Sequence, residues 1–179
     1  MKTSTETLLD DLKNRIRSII ADVEKFSLLS KDELSKRPAE NAWSALECLE
    51  HMNLYGDFYI QEFHRAITQS KYPSERVFTS GWMGDYSAKS MIPKEKLNKM
   101  KTFKTKNPLG SKLNKESTID RFINQQKEIL HILEKAKNVS LNRTKCNTTL
   151  PLFKFNLGDT LRFVIYHEER HLVQAKKSL

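Results

Sequence analysis

The chain has 179 residues, of which 38% are apolar, enough for one domain with a real core and short for two. Its net charge of +9 raises the question of an anionic partner, and two cysteines, Cys48 and Cys146, exclude a disulfide framework and suit a reducing compartment. The first thirty residues lack the compact apolar run of a secretory signal, and the longest apolar stretch elsewhere, residues 163–166, is far too short to span a bilayer. A cytoplasmic protein without a membrane segment, one domain over residues 1–179, is therefore expected.

In residues 5–27, Leu8, Leu12, Ile16, Ile19, Val23 and Phe26 recur at spacings of four and three, which predicts a first helix with one buried face. Pro38 lacks an amide hydrogen and has a fixed φ, so a connector is expected around it. Ser44 and Glu47 form a capping box, with Trp43 placed to staple against Cys48, and predict a second helix from about residue 45 to near Gln69. Residues 70–115 hold Pro73, Pro93 and Pro108 with Gly81, Gly84 and Gly110, which points to a long loop, with short helices around residues 85–91 and 94–101. Ser117 and Asp120 mark the start of a third long helix that ends near Lys137. The sequons at Asn138, Asn142 and Asn147 are chance matches in a cytoplasmic chain. A last helix is expected from about Gly158 to Lys176. No segment shows clear strand alternation, although residues 150–155 could be a short extended piece. The fold class expected is all-α, an antiparallel four-helix bundle with a long crossover loop between helices two and three.

The positive charge is concentrated. From Lys89 to Lys115 nine lysines stand against Glu95 alone, a local net charge of +8. All nine are lysines, with no arginine to form bidentate contacts with phosphate or guanine and only Phe103 as an aromatic among them. This composition favours a solvated basic loop over a nucleic-acid surface, with phosphate or anion steering as the alternative.

His167 and His171 are four apart on the predicted last helix, about 40° apart around its axis with Cβ atoms roughly 6 Å apart, so one metal ion can reach both rings. The string His167-Glu168-Glu169-Arg170-His171 also satisfies the H-E-x-x-H pattern of zinc proteases. Such enzymes take a third ligand well downstream, yet none of the eight residues after His171 is His, Asp, Glu or Cys, which directs the third ligand upstream. His51 lies on the second helix on the side of Glu47, Tyr55 and Tyr59, whereas His64 and His131 fall on partly exposed stripes.

The run Trp43-Ser44-Ala45-Leu46-Glu47-Cys48-Leu49-Glu50-His51-Met52, combined with Tyr166-His167-Glu168-Glu169-Arg170-His171-Leu172-Val173-Gln174, resembles the DinB-like superfamily across essentially the whole chain. That resemblance implies a four-helix bundle in which His51, His167 and His171 bind a divalent metal ion, zinc or nickel, with open positions left for water. Three neutral nitrogen ligands with an open position describe a catalytic site, where a bound water has its pKa lowered or a bound thiol is held as thiolate. The resemblance thus implies a metal-dependent hydrolase or a transferase of a low-molecular-weight thiol acting on a small-molecule substrate. Glu168 is a candidate base, a partner to a ligand or a surface charge, and Arg170 is placed either to hold an anionic substrate or to pack between helices. Trp43, Tyr55, Trp82 and Gln174 are candidate pocket residues. Residues 79–86, with glycines around Trp82 and Tyr86, suit either a flap over the pocket or a plain anchor for the loop. The competing readings are an anion-binding or nucleic-acid-binding module built on the basic segment, and a non-catalytic metal-binding bundle that forms a homodimer.

Overall fold

The computed structural model describes residues 1–94, 101–150 and 152–179. A three-residue strand, β1 (Lys2–Ser4), runs directly into α1 (Thr5–Phe26). Ser4 ends the strand and caps the helix, its hydroxyl accepting from the Thr7 amide, so one of the N–H groups that a helix start leaves open is satisfied. The apolar stripe from Leu8 to Phe26 is buried along its length. Next comes a short helix, α2 (Lys31–Ser35), which the connector expected here did not include. Ser30 and Glu33 close a capping box around its first turn, and Leu34 is buried.

α3 (Ala45–Thr68) begins where the Ser44/Glu47 capping box predicts. β2 (Val77–Thr79) pairs antiparallel with β1, placing Thr3 opposite Phe78, and α4 (Trp82–Met91) follows. α4 is the short helix anticipated near residues 85–91. The one anticipated at residues 94–101 lies outside the described residues except at its ends. A 3-10 turn, Lys104–Lys106, leads on to α5 (Lys115–Ala136), capped by Asn114 and so starting ahead of Ser117. β3 (Lys145–Asn147) and β4 (Lys154–Asn156) form an antiparallel pair with Cys146 opposite Phe155. Asn156 then caps α6 (Leu157–Lys176) by accepting from the Asp159 amide.

Among the described residues the fold is mostly helical, with two small antiparallel ribbons that the absence of strand alternation did not foretell. Each strand is three residues long, too short to display a period of two, and β1 finds its partner more than seventy residues away. α1 and α3 each pack against both α5 and α6, and α4 lies on α6. Leu12, Ile16, Leu49, Phe63, Phe122, Ile132, Leu161 and Ile165 are fully buried between them, and each such side chain contributes about 1.5–3 kcal/mol of transfer free energy. Both cysteines are free and buried. Among the described residues no helix is long and apolar enough to cross a membrane.

The segment from Ser80 to Asp85 is fastened to α6. Asp159 accepts from the Ser80 hydroxyl and the Gly81 amide, each at 2.8 Å. Arg162, buried to 2% exposure, donates from Nη1 to Ser80 Oγ, Asp85 Oδ1 and Asp159 Oδ1. A Cβ on Gly84 would come within 2.5 Å of Asp159 Oδ2, so this glycine permits helix-to-helix contact. These bonds anchor the segment on α6.

Candidate metal centre

His51 sits in the second turn of α3, and the i, i+4 pair His167 and His171 projects from α6, which packs against it. Each of the three offers a nitrogen, and these atoms all lie within 4.8 Å of one another. Nε2 of His51 and Nε2 of His167 are 3.3 Å apart. Zinc–nitrogen bonds of about 2.05 Å in tetrahedral geometry put two ligand nitrogens about 3.3 Å apart, so this spacing fits a shared ion.

The surroundings turn the lone pairs inward. Nδ1 of His51 lies 2.6 Å from the Lys106 carbonyl, to which it donates, leaving Nε2 as the unprotonated nitrogen. Nδ1 of His171 lies 3.0 Å from Gln174 Oε1 and is oriented in the same way. Lys106 belongs to a stretch pinned to α3 at several points. Its ammonium donates to the Leu54 carbonyl, the Trp43 indole donates to Asn107 Oδ1 at 3.1 Å, and the Gly110 amide donates to Glu47 Oε1 at 2.8 Å. Glu47 thereby joins its capping box to an ion pair with Arg37. Burial raises the Glu47 pKa, but the bonds from Arg37, Ser44 and Gly110 outweigh it and hold the carboxyl below its ordinary range. Trp43, expected to staple onto Cys48, lays its ring against His51 and His171, with centroids 4.5 and 5.6 Å away. Tyr55 packs on His51 and His167, and Phe163 stacks nearly parallel to His167.

Burial, chiefly, pushes the His51 pKa down to about 4 and that of His171 down to about 3. His167 is driven well below its ordinary value by burial and then by the neighbouring charges of His171, His51 and Arg170. All three rings are therefore neutral at pH 7, the form in which imidazole binds a metal ion.

A family model described as the DinB superfamily matches residues 7–175. The chain belongs to the DinB superfamily. No curated protein and no solved structure matches it significantly.

In this DinB-superfamily chain the three histidines lie in the wall of a cavity of about 810 Å³, which Trp43, Tyr55, Arg170 and Gln174 also line. Trp82 does not line it and is 85% exposed, while Tyr86, one turn further along α4, does. The sequence also left unassigned the aromatic wall of Phe103 and Phe163 and the rim of Lys101, Asn107 and Leu109. Phe163 was within reach, since it precedes His167 by four on one helix. Residues 101–109 carry no periodic signal that could have placed them.

Glu168 is neither on the surface nor in the cavity. It is 2% exposed, and its Oε1 accepts from Gln126 Nε2 at 3.0 Å, while Oε2 and Gln126 Oε1 have no hydrogen-bond partner. Burial pushes its pKa up to about 8. His64 instead pairs with Glu128 at 2.7 Å, and His131 is exposed. Burial pushes up both cysteine thiols, that of Cys146 to about 12, so neither is held as a thiolate. Of the basic segment, Lys89 pairs with Asp85, and Lys115 donates to the Ser27 carbonyl.

Proposed function

We propose that this chain is a divalent-metal-dependent enzyme acting on a small molecule, either by hydrolysing it or by transferring a low-molecular-weight thiol to it. The observation that carries this reading is the cluster itself: three neutral histidine nitrogens within 4.8 Å of one another in the wall of an 810 Å³ cavity. A structural zinc site is closed by four protein ligands, whereas three ligands leave a position for a reactant. The cavity volume falls within the ordinary range of small-molecule sites.

Nε2 of His51, His167 and His171 would hold the ion, with zinc and nickel the metals we favour for an all-imidazole donor set. When bound, such an ion supplies Lewis acidity and favours the deprotonated form of an oxygen or sulfur nucleophile. The protein's own contribution is positional. Lys106 and Gln174 fix the ring orientations, Trp43, Tyr55 and Phe163 exclude water from the ring faces, and Arg170 sets positive charge beside the reacting position. Contacts of α1 and α3 with both α5 and α6 support an antiparallel four-helix bundle as the frame, with its long crossover between the second and third long helices.

Elemental analysis of purified protein, with His51→Ala, His167→Ala and His171→Ala beside it, tests the metal. The expected result is about one ion per chain in the native protein and its loss in each variant. A screen of esters, amides and thiol acceptors, with and without chelator, tests the chemistry. Stoichiometric metal with no chelator-sensitive turnover would mark a non-catalytic bundle.

A further inference from the structure

We infer that the end of the molecule formed by α4 and the turn between β3 and β4 docks on an anionic lipid surface, with Trp82, Leu152 and Phe153 entering the headgroup layer and Lys145 and Lys154 meeting its phosphates. The docking surface is separate from the three histidines and goes beyond the proposed metal chemistry.

The apolar half of the surface lies on two elements that touch, α4 and β4. On α4, Trp82, Met83 and Tyr86 are exposed, and on the β3–β4 turn Leu150, Leu152 and Phe153 are exposed as well. Tyr86 and Leu150 line the same cavity, so the two groups meet at its wall. Leu152 is the extreme case. Its side chain is fully exposed, and its φ of 68° is a left-handed conformation that glycine and asparagine adopt at far less cost than leucine. Neither burial nor backbone preference accounts for a leucine there, whereas an apolar medium outside the protein does.

Charge decides what kind of medium. Residues 135–158 contain four lysines, one arginine and no aspartate or glutamate. Two of these cations belong to the ribbon that carries the turn. Lys145 stands opposite Asn156 and Lys154 opposite Asn147, a register that puts both side chains on the face away from the buried Cys146. Both lysines are exposed, and neither has an ion-pair partner among the described residues. Acids on the neighbouring elements are already engaged: Asp85 of α4 by Arg162 and Lys89, and Glu62, which accepts from the Asn147 amide, by Arg65. Lysine beside exposed tryptophan and leucine is the composition of a segment that lies in a membrane interface, where the ring sits at headgroup level, the aliphatic chain below it and the ammonium among the phosphates. A second copy of the chain docked through the same face would instead bring like charges together.

The test sediments the full chain with vesicles of phosphatidylcholine alone or carrying about 30% phosphatidylserine. Binding is expected to the anionic vesicles only, and to fall as salt rises from about 0.05 to about 0.5 M. Lys145→Gln with Lys154→Gln is expected to weaken it about fivefold per lysine. Lys127→Gln with Lys135→Gln, the same loss of charge from exposed lysines on α5, is expected to leave it nearly unchanged. Leu152→Asn and Trp82→Gln, both at exposed positions, are each expected to weaken it about tenfold with the circular dichroism spectrum unchanged. No binding to the anionic vesicles at low salt, equal losses from the two lysine pairs, or indifference to Leu152→Asn and Trp82→Gln would each overturn the inference. So would a dimer in solution that Leu152→Asn and Trp82→Gln abolish, since the face would then belong to a second copy.

Discussion

The main-chain carbonyl of Lys106 and the Nδ1 nitrogen of His51 are 2.6 Å apart, which makes a loop residue the partner that sets the tautomer of a candidate ligand on α3. The stretch from Lys106 to Gly110 is thus part of the candidate site. Its Lys106 ammonium reaches the Leu54 carbonyl, one turn beyond His51, so one residue grips α3 on both sides of that turn.

Lys106→Met keeps most of the side chain's bulk and removes the bond to Leu54. The carbonyl of residue 106 then loses one of its restraints, while Asn107 and Gly110 retain theirs. Zinc affinity, measured by competition with a chromophoric chelator, is expected to fall by up to about tenfold with the circular dichroism spectrum unchanged. Undiminished affinity in the folded variant would remove the loop from the metal site.

Gln174 plays the matching part for His171, and a side chain can be replaced more cleanly than a carbonyl. Gln174→Leu takes away the acceptor for Nδ1–H and is expected to weaken zinc binding by about 10–100-fold. Gln174→Glu restores an acceptor and should recover the affinity. A loss that the glutamate does not repair would point to packing as the cause.

The contrast between Gln174 and Lys106 also explains which parts of the site were legible in the sequence. His167, His171 and Gln174 lie within eight residues of one helix, and helical spacing is local information. His51 carries no such signal, and its place depended on the family resemblance and then on α3 packing against α6. Lys106, Phe103 and Asn107 come from an aperiodic stretch and act partly through backbone atoms, which side-chain identity does not reveal. Helix boundaries were readable where Ser44 and Glu47 cap a long apolar stripe. α2 was missed although Ser30 and Glu33 spell the same capping box, because five residues hold a single buried side chain, Leu34. Trp82 and Tyr86 are four apart on α4, and that spacing alone does not tell that Tyr86 lines the cavity and Trp82 does not.

Two glycines on helices make a pair of opposite stability predictions. A Cβ on Gly84 would meet Asp159 at 2.5–2.7 Å, and Asp159 is held by Ser80, Gly81 and Arg162 and cannot retreat. Gly84→Ala is expected to cost about 2–3 kcal/mol in urea unfolding. The atoms nearest a Cβ on Gly56 belong to the far end of the half-buried Gln125 side chain, which can swing away by giving up its bonds to the Asn53 carbonyl and Asp57. There the gain in helix propensity, about 0.5–1 kcal/mol, offsets the lost contact, and Gly56→Ala should be close to neutral. Equal losses at the two sites would show that Asp159 is freer than its bonds imply.

Asp85 gives the pH prediction. Burial raises its pKa, but the bonds from Lys89 and Arg162 outweigh that and hold the carboxyl well below the ordinary aspartate range. A carboxylate whose folded pKa is depressed contributes stability that is fully present above its unfolded pKa and is lost as pH falls through the folded one. Acid should therefore weaken the fold progressively below about pH 4, as protonation withdraws one of the two carboxylates that receive the buried Arg162. Asp85→Asn is expected to cost about 2 kcal/mol at neutral pH, by loss of charged hydrogen bonds, and to lose less than the native chain between pH 4 and pH 2. Urea midpoints measured across that range test it, and parallel curves for the two proteins would show that Asp85 is not the group whose protonation loosens α4 from α6.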